Sequence, residues 1–227
     1  MDERAATDRA RPLFGPGATF FFRLGLVLAL CLACGTAAAV FDYYHSPWWT
    51  RQGFAPDQPV LFSHRHHAGE LRIDCRYCHS SVETSGFAGL PPTETCLSCH
   101  SQIFADTAML RPVRLSAERN LPLQWQRASR LPDHVYFDHS IHVAKGVGCS
   151  TCHGDVTRQA LAEPAERMDM RWCLDCHRDP APALRPRDQI FAASWIPPAN
   201  QAARGAALLS ARNVHPQPLV DCSTCHR

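Results

Sequence analysis

Polar and apolar positions divide the chain into three regimes. From Ala18 to Phe41 almost every position is apolar, and Leu24 to Phe41 carries no charge at all. A membrane-spanning helix needs about 20 such residues, so 18–41 is predicted to be a transmembrane anchor. Arg4, Arg9, Arg11 and Arg23 lie at its N-terminal side. Flanking arginines keep their end in the cytoplasm, which makes 1–17 a cytoplasmic tail and sends the rest of the chain outside. A cleaved signal peptide is the competing reading, with Ala37 and Ala38 as small residues for processing. The run is longer than the roughly 7–15 residues of a signal core, which favours a retained anchor. Cys31 and Cys34 lack a good lipobox and read as small helix residues. The aromatic cluster Tyr43, Tyr44, Trp48 and Trp49 follows, as expected of a membrane-interface belt, with His45 as an interfacial polar group. Residues 42–60 complete an interfacial tether whose second half is Pro-containing and without periodicity.

Beyond residue 60 no long amphipathic pattern appears. Instead a short unit repeats: Phe62-Ser63-His64-x-x-His67 ahead of two Cys-x-x-Cys-His motifs, then Phe137-Asp138-His139-x-x-His142 ahead of two more. Two histidines three apart on a helical turn project from one face. The first half with its wrapping segment occupies 61–133, the second 134–180, and 181–227 carries a fifth motif at its end. The motifs are Cys75/Cys78/His79, Cys96/Cys99/His100, Cys149/Cys152/His153, Cys173/Cys176/His177 and Cys222/Cys225/His226.

Cys-x-x-Cys-His is the covalent attachment signal of c-type haem. Two thiols add to the haem vinyl groups, and the adjacent histidine binds the iron from one side. Half a zinc site also reads Cys-x-x-Cys, but zinc gives no reason for a histidine after every pair. Ten of the twelve cysteines are used in this way, leaving none for a disulfide framework. The expectation is five covalently bound haem c groups, with His79, His100, His153, His177 and His226 as proximal ligands. His64, His67, His139 and His142 supply distal ligands for four of them, in a pairing the sequence leaves open. For the fifth haem Met170 is the expected sixth ligand, with His215 and Met168 as alternatives; a thioether there would raise the reduction potential. His66 and His134 are expected as propionate or solvent contacts.

The haem-free stretches Gln102–Pro132 and Arg178–Asp221 are rich in proline and arginine and read as irregular wrapping and partner-docking segments, with one short helix around Asn200 to Ala211. Fewer than two hundred residues then surround five macrocycles, so the haems stand in for a core. The predicted fold class is a multihaem cytochrome c, class III-like: mostly irregular, with short α-helices packed around haems and one N-terminal transmembrane helix. A formal charge of +2 gives no basis for a nucleic-acid partner.

The strings Asp74-Cys75-Arg76-Tyr77-Cys78-His79, Phe137-Asp138-His139-Ser140-Ile141-His142, Gly148-Cys149-Ser150-Thr151-Cys152-His153-Gly154 and Trp172-Cys173-Leu174-Asp175-Cys176-His177-Arg178-Asp179-Pro180, with the anchor and the Gln58-Pro59-Val60 entry, resemble the pentahaem membrane-anchored cytochrome c subunits of alternative complex III. That resemblance covers nearly the whole chain. It implies a periplasmic haem domain on the bacterial inner membrane, beside an iron–sulfur protein and polytopic quinol-binding subunits. It further implies electron relay to a monohaem cytochrome c or terminal oxidase, without a catalytic site in this chain. Two other functions compete: a small multihaem quinol dehydrogenase, and a multihaem oxyanion reductase with one open iron. Eight histidines outside the motifs are enough to close all five irons, which argues for relay.

Overall fold

The computed structural model describes residues 15–226 and separates into two compact units, one through Thr50 and one from Arg51 onward. In the first, helix α1 runs Pro16–His45 and is followed by the single turn α2, Pro47–Thr50. Within α1, Gly17–His45 is long and apolar enough to cross a membrane, and none of it is buried in the protein. The helix continues beyond the uncharged run because Asp42, Tyr43 and Tyr44 still propagate it, and it stops where Ser46 turns extended ahead of Pro47. The tyrosines and Trp49 pack edge-on, with Tyr44 and Trp49 centroids 4.5 Å apart. Most of the expected cytoplasmic tail, including Arg4, Arg9 and Arg11, lies outside the described residues.

The second unit is a chain of short helices joined by irregular segments. No strand occurs among the described residues, only two isolated β-bridges, Val135 with His226 and Val147 with Leu184. A π-helical turn spans Arg65–Glu70. After it come α3 (Cys75–Cys78), α4 (Thr93–His100), α5 (Arg111–Arg119), α6 (His139–Lys145), α7 (Ser150–His153), α8 (Met170–Arg178), α9 (Gln201–Ala211) and α10 (Cys222–Cys225). Helix α9 falls where the sequence expected one. Helix α5 does not: it forms inside the proline- and arginine-rich stretch because Leu110 and Val113 find Val60, Leu97 and Trp125 to pack against. The Thr93 and Ser116 hydroxyls, 2.5 Å apart, fasten α4 to α5 in a buried contact.

Apolar burial is sparse. Val60, Val82, Leu110, Val113, Val143, Leu184 and Ile190 are the buried hydrophobics among the described residues. All but Leu184 form two small clusters, around Val113 and around Val143 with Val82 and Ile190. A soluble unit of this length needs a larger apolar core to offset its chain entropy.

Two glycines set close approaches. Gly146, at φ +89, ends α6 in the left-handed conformation, its N–H donating to the carbonyls of His142 and Val143. Gly205 lets α9 lie on the Ala181–Ala183 turn; a Cβ there would overlap the Ala181 carbonyl. Replacing Gly205 by Ala is therefore expected to lift α9 from that turn, at a cost of about 1–3 kcal/mol. Faster amide hydrogen exchange in 201–211, with haem absorbance unchanged, checks it.

Candidate functional site

Each Cys-x-x-Cys segment forms one turn of helix, and the histidine that follows closes it. The His79 N–H donates to the Cys75 carbonyl at 2.9 Å, His153 to Cys149 at 3.0 Å and His226 to Cys222 at 2.9 Å. That turn sets the two sulfurs and the imidazole of a motif at fixed offsets. Asp74 caps the first motif: its carboxylate accepts from the Arg76 N–H and pairs with the Arg76 guanidinium, which holds the acid down at about 2.

The histidines stand in opposed pairs. His64 faces His79 with ring centroids 6.4 Å apart and planes 5° from parallel. His139 faces His153 at 6.3 Å and 6°, the same arrangement in the second repeat. His67 faces His100 at 6.1 Å and His142 faces His177 at 6.1 Å. The fifth pair is His134 with His226, at 5.5 Å and 25°. Two metal–imidazole bonds of about 2 Å, plus roughly 1.1 Å from each nitrogen to its ring centre, would set two imidazoles on one iron about 6.2 Å apart. Four pairs, at 6.1–6.4 Å, match that spacing and fit iron held between two imidazoles, His67 and His100 with planes 66° apart; His134 and His226, at 5.5 Å, stand closer.

Ring orientation is set by the backbone. The Nδ1 atoms of His67, His79, His100, His139, His142, His177 and His226 each bond a carbonyl, respectively of Ser63, Gly89, Ile103, Gly86, Asp138, Leu219 and His134. An Nδ1–H donating in this way leaves Nε2 with its lone pair free for a metal. His64 differs: its Nδ1 is buried and has no hydrogen-bond partner among the described residues. Burial, reinforced by His79 and His67, lowers the His64 pKa to about 4; burial with His139, His79 and His64 does the same to His153. Both rings are neutral at pH 7, the form that binds a metal.

The two phenylalanines of the repeat prove to be part of the site. Phe62 stacks on His67 at 4.4 Å and meets His64 edge-on at 5.0 Å; Phe137 does the same to His142 at 4.5 Å and His139 at 4.7 Å. One aromatic ring thus fixes both imidazoles of its segment. Its constant place two residues before the first histidine was the signal in the sequence.

Met170, the expected sixth ligand at the C-terminal motif, is the first residue of α8 and is 63% exposed. His215 is exposed and bonds Asn213 at 2.7 Å, and Met168 sits in a positive-φ bend before α8. The structure sets none of the three against His226. It sets His134 there, because Val135 bridges to His226 and the Tyr136 N–H donates to the Cys225 carbonyl at 2.8 Å. His66 turns outward to Glu70 at 2.8 Å, and His45 stacks on Phe41 within α1.

The motifs are not laid out in chain order. The Tyr77 and Ser98 hydroxyls, 2.7 Å apart, join the first motif to the second. Burial and then Cys96 raise the Cys78 thiol; burial and then Cys75 push Cys149 up to about 11. Burial, then Cys176 and Cys173, push Cys152 up to about 12, and Cys173 is raised by burial and by Cys225. The shared turn of His64 and His67 joins second and first, and helix α6, which carries His139 and His142, joins third and fourth, so neighbours run second, first, third, fourth, fifth. The bonds of His139 to Gly86 and of His177 to Leu219 tie the same neighbours together.

Cys99 and Cys222 are exposed, with the Ser98 hydroxyl 3.9 Å from the Cys99 sulfur, and the other eight motif cysteines are half-buried.

This fold and site define a multihaem cytochrome c, and the chain belongs to that family, with covalent haem c as its cofactor. Residues 135–227 match the model for cytochrome c7 and related cytochromes c. The chain is 33% identical over 158 residues to the multihaem cytochrome c subunit of menaquinone reductase from Nitratidesulfovibrio vulgaris, covering 67% of this chain and 69% of that one.

Proposed function

We propose that this chain is a membrane-anchored electron-relay subunit of a quinone-linked respiratory complex, carrying five haem c groups. In this reading each iron sits between one proximal and one distal imidazole: His79 with His64, His100 with His67, His153 with His139, His177 with His142, and His226 with His134. The observation that carries it is the five opposed pairs at 5.5–6.4 Å. Haem iron supplies a one-electron ferric–ferrous couple when bound. The chain's own residues attach, orient and shield. Cysteines would fix the haem's position, carbonyls orient the imidazoles, and each pair of imidazoles would hold an iron from two sides.

The anchor and the resemblance to alternative complex III support a periplasmic haem domain on the inner membrane. They also support an iron–sulfur protein and polytopic quinol-binding subunits as partners, and a monohaem cytochrome c or oxidase as acceptor. The relative's name, menaquinone reductase, favours a second direction in which electrons travel toward the quinone. Reduction of the haems by a menaquinol analogue in the detergent-purified complex, against quinone reduction driven by a reduced cytochrome, separates the two directions.

Carbon monoxide tests the relay itself. The dithionite-reduced chain is expected to keep its low-spin spectrum under carbon monoxide. An adduct in even one haem, or turnover of nitrite, would put an open iron in place of a closed pair and make the chain an enzyme.

A further inference from the structure

Arg185 is 3% exposed, and no ion pair to it occurs among the described residues. It lies between the Ala181–Ala183 turn and Ile190, where its N–H donates to the Gly146 carbonyl at 2.9 Å. One guanidinium nitrogen donates to the Ser150 hydroxyl at 2.8 Å and the Thr151 hydroxyl at 3.2 Å, the two residues between Cys149 and Cys152. The other terminal nitrogen donates to the Ala192 carbonyl at 3.1 Å, and Nε is buried without a partner. The guanidinium lies over the Trp195 ring at 4.4 Å, and only a glycine at 148 leaves it room. A guanidinium stays protonated in a protein, so this is a buried positive charge held against an attachment motif.

We propose that Arg185 is a positioning residue that sets the reduction potential of the haem at Cys149 and Cys152, the middle member of the row. The inference rests on the relay reading. Oxidised haem carries one more positive charge than reduced haem. A fixed cation nearby in a low-dielectric setting therefore disfavours the oxidised form and raises the potential. The hydroxyl bonds keep that charge at a constant place beside the motif. A raised middle member would gather electrons at the centre of the row.

Potentiometric titration of the detergent-purified complex, read in the haem α-bands, tests this with three variants. Arg185→Gln is expected to lower one midpoint by at least a tenfold change in its one-electron equilibrium constant, about 59 mV. All five haems and their low-spin spectra should remain. Arg185→Lys, which keeps the charge, is expected to restore most of the loss. Ser150→Asp, which sets a carboxylate against the guanidinium while Arg185 stays in place, is expected to lower the same midpoint. That variant decides the matter if Arg185→Gln fails to attach its third haem. Unchanged midpoints in Arg185→Gln or Ser150→Asp, or an equal fall in Arg185→Lys and Arg185→Gln, would overturn the role of the charge. Failure of the relay reading looks different: the unsubstituted chain would then lack five low-spin haems.

Discussion

Replacing Cys149 and Cys152 together by Ala is expected to remove one haem and to halt electron flow between the two ends of the chain. The polypeptide should lose the mass of one haem, and under a reductant that enters at one end the haems beyond the gap should stay oxidised over the time in which the unsubstituted protein reduces completely. The reason is position. His139, which faces His153 of the third motif, bonds the Gly86 carbonyl beyond the first motif and shares helix α6 with His142, which faces His177 of the fourth, so the third motif lies between the first pair and the last. Stopped-flow absorbance resolves the two populations. Uniform reduction of the remaining four haems at the original rate would show that the row has a second connection. Removing Cys225 instead takes a haem from the end, and the other four should still reduce together.

The second large effect concerns His134. Substituting Met for His134 is expected to leave all haems attached and to convert one low-spin bis-histidine signal in electron paramagnetic resonance. The potential of that haem should rise by on the order of 0.1 V, within the roughly 0.8 V over which axial ligands tune haem iron. Met170→Ala should change neither. The basis is that His134 stands 5.5 Å from His226, centroid to centroid, whereas Met170 faces solvent. Loss of a signal in Met170→Ala, with His134→Met unaltered, would return the thioether to the iron.

Why His134 escaped the sequence is instructive. The four histidines of the repeats announce themselves by local spacing, three apart behind a phenylalanine, and spacing is readable. His134 lies three residues before Phe137, where the first repeat has Pro59, so no comparison of halves reveals it. It reaches the C-terminal motif through the Val135–His226 bridge, a contact between segments 92 residues apart for which the chain carries no local mark. Of the eight histidines outside the motifs, four belong to the repeats, His45 stacks on Phe41, His66 pairs with Glu70 and His215 bonds Asn213, whereas His134 stands beside His226.

The attachment motifs and the long apolar N-terminal helix were legible for the same reason as the repeats: Cys-x-x-Cys-His falls within one turn of helix, and an uncharged apolar run of this length reads as one helix. The order of the motifs in space was not legible, because it depends on which carbonyl each imidazole meets: Gly86 for His139, Leu219 for His177. Helix α5 was masked by proline at its first turn and arginine along one face; what forms it is tertiary burial of Leu110 and Val113.

The opposed imidazoles have a mechanical side as well. Metal held between His134 and His226 would close a loop of 92 residues, and the other four pairs would close shorter loops, two of them inside it. A covalent clamp across so long a loop takes on the order of 4 kcal/mol of entropy from the denatured ensemble. With so little apolar interior to hold it, this protein would then owe its compactness to staples rather than to grease. In denaturant it should swell late, when imidazole lets go of iron, and a competing soluble imidazole should loosen it sooner than urea alone.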